Sequence, residues 1–398
     1  MLLELPQTPR TPGIDRAEVL APAPPELITG VPAFLGFARQ GPIHQPQRIT
    51  LWSQFLEIFG EPLEAKYLAS AVRGFFENDG EICFVVRLDE TLPLDLALGQ
   101  GDDQTGALGT LEDLTPLDLV CAPDLVSDRP SLAALISRQR AILRHCEQQG
   151  DRFAILDAPL YPAPPWTGLV DVEQSLAQLL TQRTALESKQ GALYYPWVKV
   201  DQGPSPTLGF VPPCGHIAGV YARSDRQFGI HKAPANEALK GVLKLQVDLQ
   251  NRQQDRLNPA GINCLRSFPG RGLRIWGART LSHEAHWQYV NIRRLFLTIG
   301  RWLEQQLQAV MFEPNDLRLW VRIERELTAY FEDLLQQGAL RGLTPQTAFY
   351  VKCDAETNLP NAREAGQVVT DIGIAPVVPS EFIQVRLILG TSGITLIE

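Results

Sequence analysis

Between Glu26 and about Val200 the chain alternates short apolar runs with amphipathic ones, and this alternation constrains the fold more than any other feature. "ELITGVPAFLGFA" is apolar and β-compatible, and after the loop "GPIHQP" the run "LWSQFLEIFG" sets Leu51, Phe55, Ile58 and Phe59 on one side of a helix that stops at Gly60. "YLASAVRGFFENDG" reads as a second helix and "EICFVVRL" as a buried strand. Further on, "SLAALISRQRAILRHCEQQG" and "VEQSLAQLLTQRTALES" have helical spacing, while "RFAILDAP", ending at Asp157, and "GALYYPWVKV" read as strands. Two parallel strands need a crossover long enough to hold a helix, so this order predicts an α/β domain with a largely parallel sheet. Residues 91–115 are acidic, Gly-rich and weakly patterned, which reads as a linker.

Either side of that region the pattern is different. Residues 1–25 hold one strand-like run, "GIDRAEVLAP", before Pro22, Pro24 and Pro25 break regular structure, so they read as an extended arm. After the Pro/Gly-rich residues 203–236, in which "HIAGVYAR" suits a short helix, comes a strand, "LRIWGA". From about residue 277, "HWQYVNIRRLFLTIGRWLEQQLQAVMF" and "EPNDLRLWVRIERELTAYFEDLLQQGALRG" predict two long amphipathic helices. Three strands follow: "AFYVKCD", "QVVTDIGIAPV" and "EFIQVRLIL". No internal repeat is visible, and 398 residues are enough for two or three domains.

Composition removes several functions. A formal net charge of -9 disfavours general nucleic-acid binding, which needs a basic face against phosphates. No apolar run approaches the roughly 18 residues of a membrane span, and "MLLELPQTPRTPG" lacks the basic start and apolar core of a signal peptide. Cys83, Cys121, Cys146, Cys214, Cys264 and Cys353 form no CxxC pair and read as buried free thiols.

Few residues suggest chemistry. His283 and His286 are three apart, about 60° on a helix, so both could reach one ion. The zinc-protease spacing HExxH needs one residue more, and Glu284 is turned about 100° from His283. Ser282 as N-cap and Glu284 in the first turn of a scaffold helix account for the same letters. Cys214, His216, Asp225 and His231 supply nucleophile, base and orienter types, but in a Pro/Gly-rich setting with no nucleophile-elbow signature. "FPGRGLRIWGAR" does not fit a dinucleotide loop. Asp157, at a strand's carboxyl end, stands where an α/β enzyme places an acid, or where a turn needs one. No catalytic set, cofactor site or metal site emerges.

The two ends are more telling. Gly13, Ile14, Arg16, Glu18 and Val19 in the first arm, and Phe382, Ile383, Val385, Leu387 and Leu389 in the last strand, mark β-segments at opposite termini. A lone arm cannot satisfy its own backbone donors and acceptors, and an open edge invites pairing with another chain. Exchange of these segments between copies is one reading; an ordinary edge strand in the same subunit is the other.

At this point the chain resembles a known family, the contractile tail sheath proteins of phages and related contractile injection systems. The resemblance rests on "TPGI", "VPAFLGFARQGPIHQP", "FLEIFG", "PPCGHIAGVYARSDRQFGIHKAPAN", "LNPAGINCLRSFPGRGLRIWGARTLS", "WQYVNIRRLF", "FEPND" and "GIAPVVPSEFIQVRL", in family order and weakest over about residues 90–120. Cys214 stands where a serine or other small residue is expected. The resemblance implies an inner α+β domain made of the N-terminal segment (26–90) and the C-terminal half (277–380). A middle α/β domain (91–276), subtilisin-like and non-catalytic, would lie outside it, with arms at 1–25 and 381–398. It implies a homo-oligomer of stacked six-membered rings around an inner tube, with baseplate and terminator or cap proteins as partners, assembled in the cytoplasm. No nucleic acid and no membrane insertion are expected. Arg293, Arg294 and Arg301 are candidate tube contacts by charge alone. An α/β hydrolase relative and a non-contractile capsid or baseplate protein remain the rival readings.

Overall fold

The computed structural model describes residues 27–99, 106–160, 171–201, 209–377, 383–390 and 393–397. Its first strands, β1 (Pro32–Gly36) and β2 (Gln47–Ile49), are followed by α1 (Trp52–Phe59), α2 (Leu68–Glu77) and β3 (Cys83–Arg87). α1 forms where Phe55 and Phe59, one turn apart, both reach the core, and it ends at Gly60, whose φ of 77° suits glycine. α3 (Leu94–Leu98) and a short 3-10 turn at Gly109–Leu111 occupy the stretch expected to be a linker. For the described part of that stretch the expectation is corrected: Leu94, Ala97, Leu98, Leu108 and Leu111 are buried in the main core.

β4 (Leu119–Cys121), α4 (Leu132–Gln149), β5 (Phe153–Asp157), α5 (Val172–Ala185) and β6 (Gly191–Tyr195) continue the alternation. Ser131 caps α4 by accepting from the Ala134 amide at 3.2 Å, and Asp171 caps α5 in the same way. β7 (Val198–Val200), β8 (Phe210–Val211), α6 (Cys214–Phe228), β9 (Glu237–Ala238), β10 (Val242–Leu245) and α7 (Asn251–Leu257) come next. The hairpin β11 (Ile262–Phe268) and β12 (Gly272–Trp276) then turns through Gly270 and Gly272, both at positive φ. Of the two strands only β12 is expected from the sequence; β11 lies within "LNPAGINCLRSFPGRG", where turn residues on both sides obscure it.

These strands make one nine-stranded sheet in the order β2-β3-β1-β4-β5-β6-β11-β12-β9. The central pairs from β3 to β11 are parallel, and the outer ones are antiparallel. Continuous burial along β1, β4, β5 and β6 is the mark of strands covered on both faces. β10-β7-β8 form a small separate sheet. Residues 31–88 therefore belong to the same sheet and core as the middle region, through the parallel pairing of β1 with β4, and not with the C-terminal half as expected for residues 26–90; Leu27, alone among the described residues of that stretch, packs against the smaller core. Their strand–helix pattern fits either partition; only the pairing partner decides.

The second core is built on α8 (Val290–Leu307) and α9 (Leu317–Gln336). Trp302 stacks flat on Tyr330 with ring centroids 3.7 Å apart, above Leu303, Ile323, Leu327 and Phe331. α10 (Pro345–Ala348), β13 (Phe349–Lys352), α11 (Pro360–Glu364), β14 (Val368–Ile374), β15 (Ile383–Gly390) and β16 (Gly393–Ile397) complete it, the strands forming an antiparallel sheet in the order β13-β14-β15-β16. β16 was not foreseen. α8 belongs to both cores: Val290 and Leu297 pack into the larger one, while Ile292, Leu295, Phe296 and Ile299 pack into the smaller.

Candidate functional site

Two places join the molecule's parts: a buried charge cluster between the cores and the terminal sheet. At the first, Asp118 precedes β4 and accepts from the amides of Gly30 at 3.0 Å and Val31 at 2.6 Å. Arg294, one turn into α8, donates to the same Asp118 at 3.0 Å and grips both carboxylate oxygens of Asp225, on α6, at 2.9 and 2.6 Å. All three side chains are 5% exposed or less. Burial pushes the Asp225 carboxyl above the usual range, and Arg294 only partly offsets that. Burial would lower the Arg294 guanidinium, but Asp225 and Asp118 outweigh it and hold the charge on. Gly30 and Val31 are thus tied through Asp118 and Arg294 to the spine of the smaller core. Gly30 (φ 74°) permits this, because a side chain there would collide with Ala222 on α6.

Arg294 is therefore a structural cation, not a surface one, which corrects its reading as a tube contact. The same holds for its neighbours. Arg293 is 2% exposed and lies over the Trp287 ring at 4.9 Å. Arg301 is 8% exposed, donating to Thr298 Oγ1 at 3.2 Å and lying 3.9 Å from Asp118. Charge in a helical repeat could not reveal this, since the partners Asp118 and Asp225 lie far away in sequence. Asp118 itself was missed: a single Asp before an apolar strand carries no signal.

The chemistry candidates do not assemble. Cys214 opens α6 and is buried, its amide donating to Asp157 Oδ1 at 2.9 Å. His216 is 1% exposed, lies against Gly74 of α2, and finds no hydrogen-bond partner for either ring nitrogen. The hollow it lines, about 380 Å³, is bordered by Ser70, Arg73, Glu77 and Asp201 but not by Cys214, Asp225 or His231. Asp225 is committed to Arg294, as above. "HIAGVYAR", expected as a short helix, sits inside the longer helix α6, which also holds Cys214 and Asp225, while His231 lies beyond its end.

His283 and Glu284 do not start a helix either. Helix α8 begins at Val290, after a 3-10 turn at Ala285–Trp287, and Ser282 Oγ accepts from the Glu284 amide in a local turn. His283 is exposed and meets Glu187 at 3.1 Å. Among the described residues no group of His, Cys, Asp and Glu could hold a metal ion, and no helix is long and apolar enough to cross a membrane.

The terminal sheet places the C-terminal exchange candidates. Ile383, Val385, Leu387 and Leu389 lie on β15, which pairs with β14 of the same chain from Val368↔Leu389 to Ile374↔Ile383. β15 also pairs with β16, which runs beside α8. In the single chain the segment thus closes on its own body. Phe382 and the N-terminal candidates Gly13, Ile14, Arg16, Glu18 and Val19 lie outside the described residues.

Comparison with known proteins gives this architecture a family. Residues 100–281 match the model of the phage tail sheath protein central domain, and residues 282–389 that of the phage tail sheath C-terminal domain. A tail sheath protein of Vibrio phage KVP40 is 28% identical over 183 residues, which span 45% of this chain but only 26% of that relative. The sheath complex of an extracellular contractile injection system in its contracted state superposes with a TM-score of 0.71 at 27% identity, over 94% of this chain and 96% of that one. A chain in the baseplate of the anti-feeding prophage, also contracted, gives 0.76 at 26% identity over 94% and 97%. The two sheath domains together span residues 100–389, more than half of the molecule, and meet at residues 281–282, just before α8 joins the two cores: the chain belongs to the tail sheath family of phages and contractile injection systems.

Proposed function

We propose that the chain is a mechanical subunit, polymerising as stacked six-membered rings around an inner tube and contracting to drive that tube through a target envelope. The observation that carries this reading is the attachment of the last segment: β15 and β16 form the outer hairpin of the terminal sheet, and β15 joins it by backbone pairing with β14. Such a strand can leave β14 of its own chain and take the equivalent place on a neighbour, replacing each lost backbone bond by an identical one. The N-terminal segment containing Gly13, Ile14, Arg16, Glu18 and Val19 would pair with a further neighbour. The linked array would stay connected while whole subunits rotate and compact, and the new contacts would supply the work.

In this reading the larger core is the outer, subtilisin-like and non-catalytic domain, and the smaller core faces the tube. Assembly takes place in the cytoplasm, with baseplate and cap proteins at the two ends. The commitment of Asp225 to Arg294, and of the buried Cys214 amide to Asp157, favours a structural role over a hydrolase. Deletion of residues 383–397 tests the proposal. The shortened chain should remain folded by circular dichroism yet form no tubes under the electron microscope; normal tubes would refute exchange of this strand.

A further inference from the structure

The Gly-rich run "FPGRGLRIWGAR", which fits no dinucleotide loop, carries the turn of the β11–β12 hairpin and the whole of β12, down to Trp276. Trp276 borders a hollow of about 320 Å³ between that hairpin and α7. Asn251, Gln254, Asp255 and Asn258, at i, i+3, i+4 and i+7 along α7 and its C-cap, line the facing side, together with Arg266 of β11. Arg266 Nη1 donates to Asn251 Oδ1 at 2.8 Å and to Gln254 Oε1 at 2.7 Å, and Gln254 Nε2 donates to the Trp276 carbonyl at 3.1 Å. This network fixes the guanidinium and orients both amides. Phe268 backs the indole, with ring centroids 4.5 Å apart. Among the described residues, the Asn251 amide nitrogen, the Asp255 carboxylate, the Asn258 carboxamide and the Trp276 Nε1 donor have no hydrogen-bond partner, and neither Asp255 nor Arg266 has an opposite charge within ion-pair distance. Free donors and acceptors thus gather in one hollow beside a braced aromatic ring, the composition of a small-molecule site.

We propose that this hollow binds a saccharide, as one or two neutral pyranose rings. A hydroxyl both donates and accepts, so neighbouring hydroxyls of one sugar can donate to Asp255 and accept from Asn251, Asn258 and the indole N–H. The C–H face of the same sugar would lie on Trp276, whose ring is apolar and whose N–H is polar. An anionic ligand would meet Asp255, and a cationic one Arg266, so a neutral polyol suits the site better than either. The groups from Asn251 to Asn258 are spread over about 10 Å of helix, which suits linked sugar rings better than the single planar edge of a nucleobase. All the residues named lie on the larger core of one chain, so the assignment is independent of strand exchange and of contraction.

The test uses the full chain, dispersed in solution, with lactose, maltose and cellobiose at millimolar concentration, and with adenosine as the competing chemistry. Saturating the protein resonances by NMR should transfer magnetisation to the ring protons of at least one disaccharide. Asp255→Ala, at an exposed position, should melt with the unaltered chain but bind that sugar about tenfold more weakly, because a sugar hydroxyl loses its acceptor. Trp276→Ala should abolish the transfer, and Trp276→Phe, which keeps a ring, should restore part of it. No transfer to any of the three disaccharides, or Asp255→Ala binding as tightly as the unaltered chain, overturns the inference. Adenosine binding more tightly than every disaccharide, and losing its signal in Trp276→Ala, would make this a base-binding site and overturns it as well.

Discussion

Asp157 shows how much chemistry a single position can carry without being catalytic. It ends β5, and its Oδ1 accepts from the Cys214 amide at 2.9 Å, locking the sheet to the start of α6. Burial pushes its carboxyl up to about 7, against the opposing hydrogen bonds from Cys214, from an ordinary value of 3.8. The folded state therefore holds this proton more tightly than the unfolded chain does, and stability falls as pH rises from about 4 through about 7. Asp157→Asn keeps the acceptor and abolishes the charge. It should be more stable than the unaltered protein at pH 8, by on the order of a few kcal/mol, and the gap should close towards pH 4 in melting curves. His216 runs the other way: burial lowers it from 6.5 to about 4, so stability is lost as pH falls through that range, equally in both proteins. A gap that does not change with pH would show that Asp157 is not buried as described. The sequence showed Asp157 at the end of a strand; it could not show Cys214, 57 residues on, bonded to it.

Helices α2 and α6 pack backbone against backbone, and small residues make this possible. A Cβ on Gly215 would overlap the backbone of Ala71, and one on Gly219 would meet Phe75 O. Propensity and packing then oppose each other. Gly215→Ala should stabilise an isolated helix by about 1 kcal/mol, yet the protein should lose about 1–3 kcal/mol, because α2 must move away. Gly300→Ala, in α8 with nothing near its Cβ, is the control and should raise the melting temperature. If both substitutions stabilise, the close approach of α2 and α6 is wrong. The elements legible in the sequence were those with long periodicity, such as α4, α9 and the buried strands β3 and β5. The errors fell where a local signal was ambiguous: polar letters before α8 read as its first turns, turn residues hid β11, and glycines hid α3.

For the whole molecule the question is whether two cores act as one body. The sequence could not answer it, because the partition depends on the pairing of β1 with β4 and on a cation in α8 reaching carboxylates from two other elements. α8 is the shared spine, with Val290 and Leu297 in one core and Ile292, Leu295 and Phe296 in the other. Arg294 adds a charged tie from that spine to Gly30 and Val31, through Asp118. A subunit that is pulled by its neighbours transmits force only if this joint holds. Arg294→Met keeps much of the bulk but strands Asp225 without its cation and leaves Asp118 only the more distant Arg301, and should cost about 3–5 kcal/mol. The loss is not of a net attraction but of compensation for two buried charges, which makes a further prediction. Adding Asp225→Asn to Arg294→Met should restore a large part of the stability, because one uncompensated carboxylate is then gone. Calorimetry should show a single unfolding transition for the unaltered chain, since neither core can melt without disrupting α8, and a broadened or split one for Arg294→Met. An unchanged midpoint and a single sharp transition in Arg294→Met would mean that the cores are coupled by apolar packing along α8 alone and that the buried triad is not the joint.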